Sequence, residues 1–190
     1  MIDENKELRI KEFIDKWRSK IGQDHIEPTN VREIISQVIV NMPGSWNEDV
    51  EWGDIKRFAL INDDLNALWF DEDYAKQSKW GGIIAPPLFI FNITLGLLWG
   101  MPISEENWEK EFYDQTLNGG CEIEFYEPIR PGDKIAYKDK LIDVFEKQGR
   151  RGKLLFVNEE TTYTNQKGQV VAISRGSAIL VRESKLSLKD

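Results

Sequence analysis

The chain carries one histidine, one cysteine and no long unbroken apolar run, and each shortage removes a class of function. Lone Cys121 cannot close an internal disulfide, and nothing clusters with His25 to make a zinc set. A reducing compartment, simplest the cytoplasm, and no structural metal are therefore expected. The opening MIDENKELRI is charged from the start and lacks the apolar stretch of a signal peptide. The longest apolar segment, Ile83 to Met101, is interrupted by Pro86, Pro87, Asn92 and glycines, which reads as a buried helix rather than a membrane span. A basic stripe is missing too. The net charge of −8 comes from acidic residues spread over the whole chain, so no surface is expected to neutralise a nucleic-acid backbone.

What is present suits one domain. In 190 residues, 41% are hydrophobic and 11% aromatic, enough for a core without staples. There is no internal repeat. From Glu7 to Gly22, Ile10, Phe13, Ile14, Trp17 and Ile21 fall at helical spacing, which predicts an amphipathic helix on the outside of the sheet or against a partner. A second helix is expected from Asn30 through Ile39, with a strand from Ile34 onward as the alternative that its β-branched residues allow. Glu51 to Asn62 places Ile55, Phe58 and Ala59 on one helical face, and Asp71 can cap a turn through Tyr74 and Ala75. Proline suits a first helical turn, so Pro87 to Trp99 predicts a helix that is apolar on nearly every side and wrapped by the rest.

The last third is different. Cys121 to Tyr126, Lys134 to Phe145, Lys153 to Thr164 and Gln169 to Val181 are β-rich runs separated by turn residues, an antiparallel meander with Cys121 as a small core residue. Helices followed by strands imply an α+β fold with a curved sheet around the Pro87 helix. Its open edges favour a dimer. His25 is expected in a solvated loop, and Arg150-Arg151 at a hairpin tip. A contact of that arginine pair with the phosphates of coenzyme A or a phosphopantetheine arm is the alternative.

Six segments, in this order and spacing, carry a resemblance. They are Phe58-Ala59, Asp64-x-Asn66, Asp71-x-x-Tyr74-Ala75, Gly81-Gly-Ile-Ile-Ala-Pro-Pro87, Phe125-Tyr-Glu-Pro-Ile-Arg-Pro-Gly-Asp133 and Tyr163-Thr-Asn-Gln-Lys-Gly168. From Glu51 to Val181 the chain resembles the MaoC-like (R)-specific enoyl-thioester hydratases and dehydratases, in particular the FAS1-like, or N-terminal, dehydratase branch with its hot-dog fold. The resemblance implies a single hot-dog domain over 49–184, a helical extension over 1–48 and a short tail over 185–190.

Catalytic members of that family carry Asp-x-Asn-Pro-x-His, whose acid and imidazole activate a water for addition to the unsaturated thioester. Matched residue by residue, the resemblance puts Asp64 and Asn66 on the acid and amide, but Ala67 on the proline and Trp69 on the histidine. Indole donates one hydrogen that does not titrate, so it cannot serve as the base. The family's Ala-His-Gly becomes Ala85-Pro86-Pro87, and Pro87 has no N–H to offer an oxyanion. Loss of one such donor costs on the order of a hundredfold in rate.

The implied site is thus a binding wall of Trp69, Gly81, Gly82, Pro86, Pro87 and Leu88. It would take an acyl-CoA or acyl-carrier thioester, with no cofactor of its own and a second hot-dog chain supplying the histidine. Two alternatives stay open: a self-sufficient homodimeric hydratase or thioesterase using Asp64, and a non-enzymatic acyl-thioester binder.

Overall fold

The computed structural model describes residues 4–26, 49–93, 112–113, 115–150 and 152–183. The β-branched and aromatic runs of the last third form four long strands, β2 (Gln115–Phe125), β3 (Ala136–Gln148), β4 (Gly152–Thr164) and β5 (Val170–Glu183). A short strand, β1 (Asp24–Ile26), joins them in one antiparallel sheet of order β1-β3-β4-β5-β2. The expected meander holds for β3, β4 and β5. The strand before them does not continue it, because β2 pairs with β5 and so forms the opposite edge from β3. Residues 126–135 make that crossing over the end of the sheet, tied by the Tyr126 and Glu127 N–H groups to the Val171 carbonyl.

His25 is also placed differently from the expected loop. Gly22 takes a left-handed φ of 82°, and its N–H bonds the Leu141 carbonyl at 2.9 Å, which turns the chain directly onto β3. Asp24 and Ile26 then pair with Lys140 and Asp139.

Strand alternation shows where the core lies. Leu155, Val157, Glu159, Thr161 and Tyr163 point to one face of β4, opposite Leu180, Ala178, Gly176, Ser174 and Ala172 of β5. Two buried clusters share this face. One gathers Tyr137, Tyr163 and Ala172 with Ile55, Trp69, Ile84, Phe89 and Ile90; the other gathers Leu141, Val144, Leu155, Val157 and Leu180 with Ile10, Phe13, Ile14 and Trp17. Between them runs a polar seam. Asp139 is only 7% exposed and accepts the Thr161 hydroxyl at 2.5 Å, beside half-buried Glu159 and buried Ser174. Burial raises both carboxyls. For Asp139 the Thr161 bond partly offsets this, while Glu159, with Asp139 next to it, is pushed up to about 7.

Helix α1 (Glu4–Arg18) buries four of the five apolar residues that its spacing singles out, Ile10, Phe13, Ile14 and Trp17. It covers the same face of the sheet as the second cluster, not the outside, because those strand residues would otherwise face water. It stops at Arg18, short of Gly22, and Ile21 lies beyond it at 40% exposure. Two polar contacts fix it to the sheet. Arg18 Nε donates to the Val144 carbonyl at 3.1 Å, and Glu7 meets Arg182 at 3.0 Å and Lys153 at 3.5 Å. Glu7→Gln is expected to cost about 1 kcal/mol of unfolding free energy, less at high salt. Urea titrations at two salt concentrations check this.

Cys121 is exposed, contrary to its expected place in the core. A bulge at Gly119-Gly120 breaks the register of β2 on an edge where nearly every residue is exposed. A Cβ on Gly119 would lie 2.9 Å from the Ser177 carbonyl, and Gly120 has a φ of 94°, so both glycines are needed there. The expected element at 30–39 lies outside the described residues. Among the described residues no helix is long and apolar enough to cross a membrane.

Candidate functional site

The site loop is built by the end of one helix and the start of the next. Helix α2 (Trp52–Ile61) buries Ile55 and Ala59, and Phe58 meets Phe89 edge-on at 5.5 Å. Asp63 then adopts a left-handed φ of 53°, and the Asp64 N–H returns to the Ala59 carbonyl at 2.9 Å. That six-to-one bond is a helix-terminating closure, with Asp64 as the residue that completes it. Its half-buried carboxylate accepts the Asn66 N–H at 3.3 Å. Asn66 in turn caps α3 (Ala67–Phe70), its side-chain oxygen accepting the Leu68 N–H at 3.0 Å. Asp71 caps α4 (Glu72–Gln77) through Asp73 and Tyr74, as expected.

Trp69 sits in the first core cluster at 5% exposure. Its carbonyl accepts the Trp52 indole N–H at 2.8 Å, while its own Nε1 is buried without a hydrogen-bond partner. The three positions of the site motif are therefore contiguous in space, but their observed bonds are caps and packing. Asn66→Ala is expected to cost about 1 kcal/mol, with Asn66→Asp nearly neutral. Chemical denaturation of the three proteins measures it.

The second part of the site is the turn Gly81-Gly82 with the segment Ile83 to Leu88. Gly81 has a φ of 67°, Ile83 to Pro86 are buried, and the Ala85 N–H bonds the Ile129 carbonyl at 2.8 Å. Pro87–Phe89 makes a single 3-10 turn leading into α5 (Ile90–Ile93). Phe89 and Ile90 are buried, but Pro87 and Asn92 are exposed and Leu88 is 54% exposed. The described start of this helix is thus covered on one side only, since the sheet and α2 reach just that side. Residues 94–99 of the expected helix lie outside the described residues.

Arg130 holds the turn from the opposite loop. Its Nη2 donates to the Trp80 carbonyl at 2.7 Å, and its backbone N–H is held by Asp133 at 2.8 Å. Asp133 is further bonded by Gln166, whose own side chain accepts the Lys134 N–H. The Phe125 to Asp133 segment is therefore a brace for Gly81-Gly82.

Residues 36–174 match the family described as FAS1-like, dehydratase domain region. The chain belongs to this FAS1-like dehydratase family. Among curated relatives, a UPF0336 protein of Parafrankia sp. is 27% identical over 65% of this chain and 82% of its own. A probable enoyl-CoA hydratase alpha subunit of Thermomonospora curvata is 24% identical, with 69% of this chain covered; the match spans only 44% of that subunit. In solved structures, a MaoC-like dehydratase from Rhodospirillum rubrum aligns at 26% identity and a TM-score of 0.55, over 72% of this chain and 88% of its own. The ChsH1-ChsH2 complex from Mycobacterium tuberculosis includes a chain that aligns over 94% of both at a TM-score of 0.67 and 17% identity. The fold is the hot dog.

For this member of the FAS1-like dehydratase family, residue-by-residue matching placed Asp64, Asn66 and Trp69 in one loop and Gly81 to Leu88 in another. It missed Arg130. The signal was the arginine of the Arg-Pro-Gly-Asp turn, which had served only to mark the family. Asp139 and Glu159 were missed as well, although each occupies an inward position on an alternating strand.

Proposed function

We propose that this chain is the substrate-binding half of an enoyl-thioester hydratase or dehydratase, working beside a second hot-dog chain that carries the acid and the imidazole. One observation carries the reading. The position that needs a base is taken by Trp69, a buried donor that cannot accept a proton. Pro87 adds to it, having no N–H for a developing oxyanion.

Addition of water across the double bond needs a proton acceptor for the water, a proton donor for the α-carbon and a donor for the thioester oxygen. On this reading the partner supplies the proton transfers. This chain supplies the surface that holds the acyl group, exposed Pro87 and Leu88, backed from beneath by buried Pro86 and by the core that contains Trp69. Support comes from the relative named as an alpha subunit of a hydratase and from the two-chain complex among the neighbours. The open edge of β2, exposed over nearly all of its 11 residues, offers a surface for the second chain.

Co-expression with a hot-dog chain that carries the histidine motif tests the pairing. The two are expected to co-purify at a fixed ratio, and the partner's hydration of crotonyl-CoA to rise when this chain is present. A partner that is fully active alone and never co-purifies overturns the proposal.

A further inference from the structure

We propose that Arg130, over the bare Gly81-Gly82 turn, is a phosphate-binding contact for the thioester's carrier; this rests on the substrate-binding role just given. Four other arginines have a carboxylate: Arg18 has Asp15, Arg57 has Asp54, Arg175 has Glu124 and Glu160, and Arg182 has Glu7. Arg130 has none among the described residues. The carboxylate nearest in sequence, Asp133, is engaged on one oxygen by the Arg130 backbone N–H and on the other by Gln166.

A guanidinium presents five N–H donors, and only one of these, on Nη2, meets an acceptor among the described residues, the Trp80 carbonyl. Beyond bracing the turn, this half-buried guanidinium has donors left over that an anion can take.

The glycines leave room for it. A Cβ on Gly82 would lie 3.7 Å from Arg130 Nη1, in ordinary contact, and one on Gly81 would meet nothing within 4 Å. Space beside the guanidinium is therefore kept by absent side chains. Lys79, one residue before the bonded Trp80 carbonyl, lays its ammonium 4.5 Å over the Trp80 ring. Phosphate fits this fork, because its oxygens can take paired N–H donors from Arg130. The turn runs directly into Pro86, Pro87 and Leu88, so a phosphate here would sit at the head of the acyl surface.

Phosphate of this kind comes either from coenzyme A or from the phosphopantetheine arm of a carrier protein. Three probes separate the sources: crotonyl-CoA, crotonyl-phosphopantetheine and crotonyl-pantetheine, the last with no phosphate. Binding is measured by calorimetry, on the chain alone and with its co-purified partner. Arg130→Gln is expected to weaken binding of the phosphate-bearing thioesters by about tenfold to a hundredfold and to leave crotonyl-pantetheine unchanged. Loss for the coenzyme A thioester alone would place the contact on its distal phosphates. Arg130→Lys should recover part of the affinity, and the wild type should lose affinity with salt more steeply than Arg130→Gln.

Gly82→Ala guards against a mere folding defect. It fills the space beside Nη1 without a clash and is expected to lower affinity for the phosphate-bearing probes at an unchanged melting temperature. Equal weakening of all three probes by Arg130→Gln, or no weakening, overturns the phosphate contact while leaving the subunit reading intact. A wild type that binds none of the three, with or without the partner, overturns both.

Discussion

Trp69→Ala should lower the unfolding free energy by about 3–5 kcal/mol, the range for deleting a large aromatic from a packed core. The indole fills the junction of α2, α3 and the sheet, against Ile55, Ala59, Ile84 and Phe89. Trp69→Phe is expected to cost about 1 kcal/mol or less, because it keeps most of the apolar bulk and removes a buried N–H that has no acceptor. Trp69→His is the more telling variant. It puts an imidazole where the proposed reading places the family's base, yet should give no hydratase activity, since Pro87 still lacks its N–H and the cavity left by the indole destabilises the loop. Urea unfolding of the three variants, with hydration assays on each, reads both effects. A Trp69→Ala protein as stable as the wild type would show that the ring is not core.

The second large effect concerns the seam between the two apolar clusters. The Glu159 carboxyl has its pKa raised from 4.5 to about 7, first by burial and then by Asp139 beside it. A raised carboxyl means that the folded chain holds its proton more tightly than the unfolded one. The associated stability is therefore complete below pH 4.5 and is lost as pH rises through about 7. Because the side chain is only half-buried, the loss is expected at about 1–3 kcal/mol, below the full value for such a shift. Glu159→Gln cannot ionise. It should match the wild type near pH 4.5, show little of the decline, and exceed it by that margin at pH 8. Wild-type and variant stability curves that stay parallel from pH 4.5 to 8 would contradict this.

Much of this architecture was legible from residues alone. Helical spacing revealed the buried face of α1 through Ile10, Phe13, Ile14 and Trp17, and side-chain chemistry revealed the Asp71 cap. These signals are local. Which face of the sheet α1 covers depends on the register of β4 with β5, which no single segment encodes. The pairing of β2 with β5 is likewise a long-range choice, and the exposure of Cys121 follows from that edge position and from the Gly119-Gly120 bulge. Within the site, Asp64 and Asn66 could be read as turn-formers, because an acid and an amide near a helix end bond backbone readily. Arg130 could not. Its partner carbonyl at Trp80 lies 50 residues away, so its role emerges only once the two loops meet.

On the proposed reading this chain binds but does not move protons, and the decisive assay is hydration of crotonyl-CoA by the purified chain, alone and then mixed with a histidine-bearing hot-dog partner. The expected result is no turnover above buffer for the lone chain, unchanged by Asp64→Asn, and brisk turnover by the mixture. Rapid hydration by the lone chain, abolished by Asp64→Asn, would contradict it.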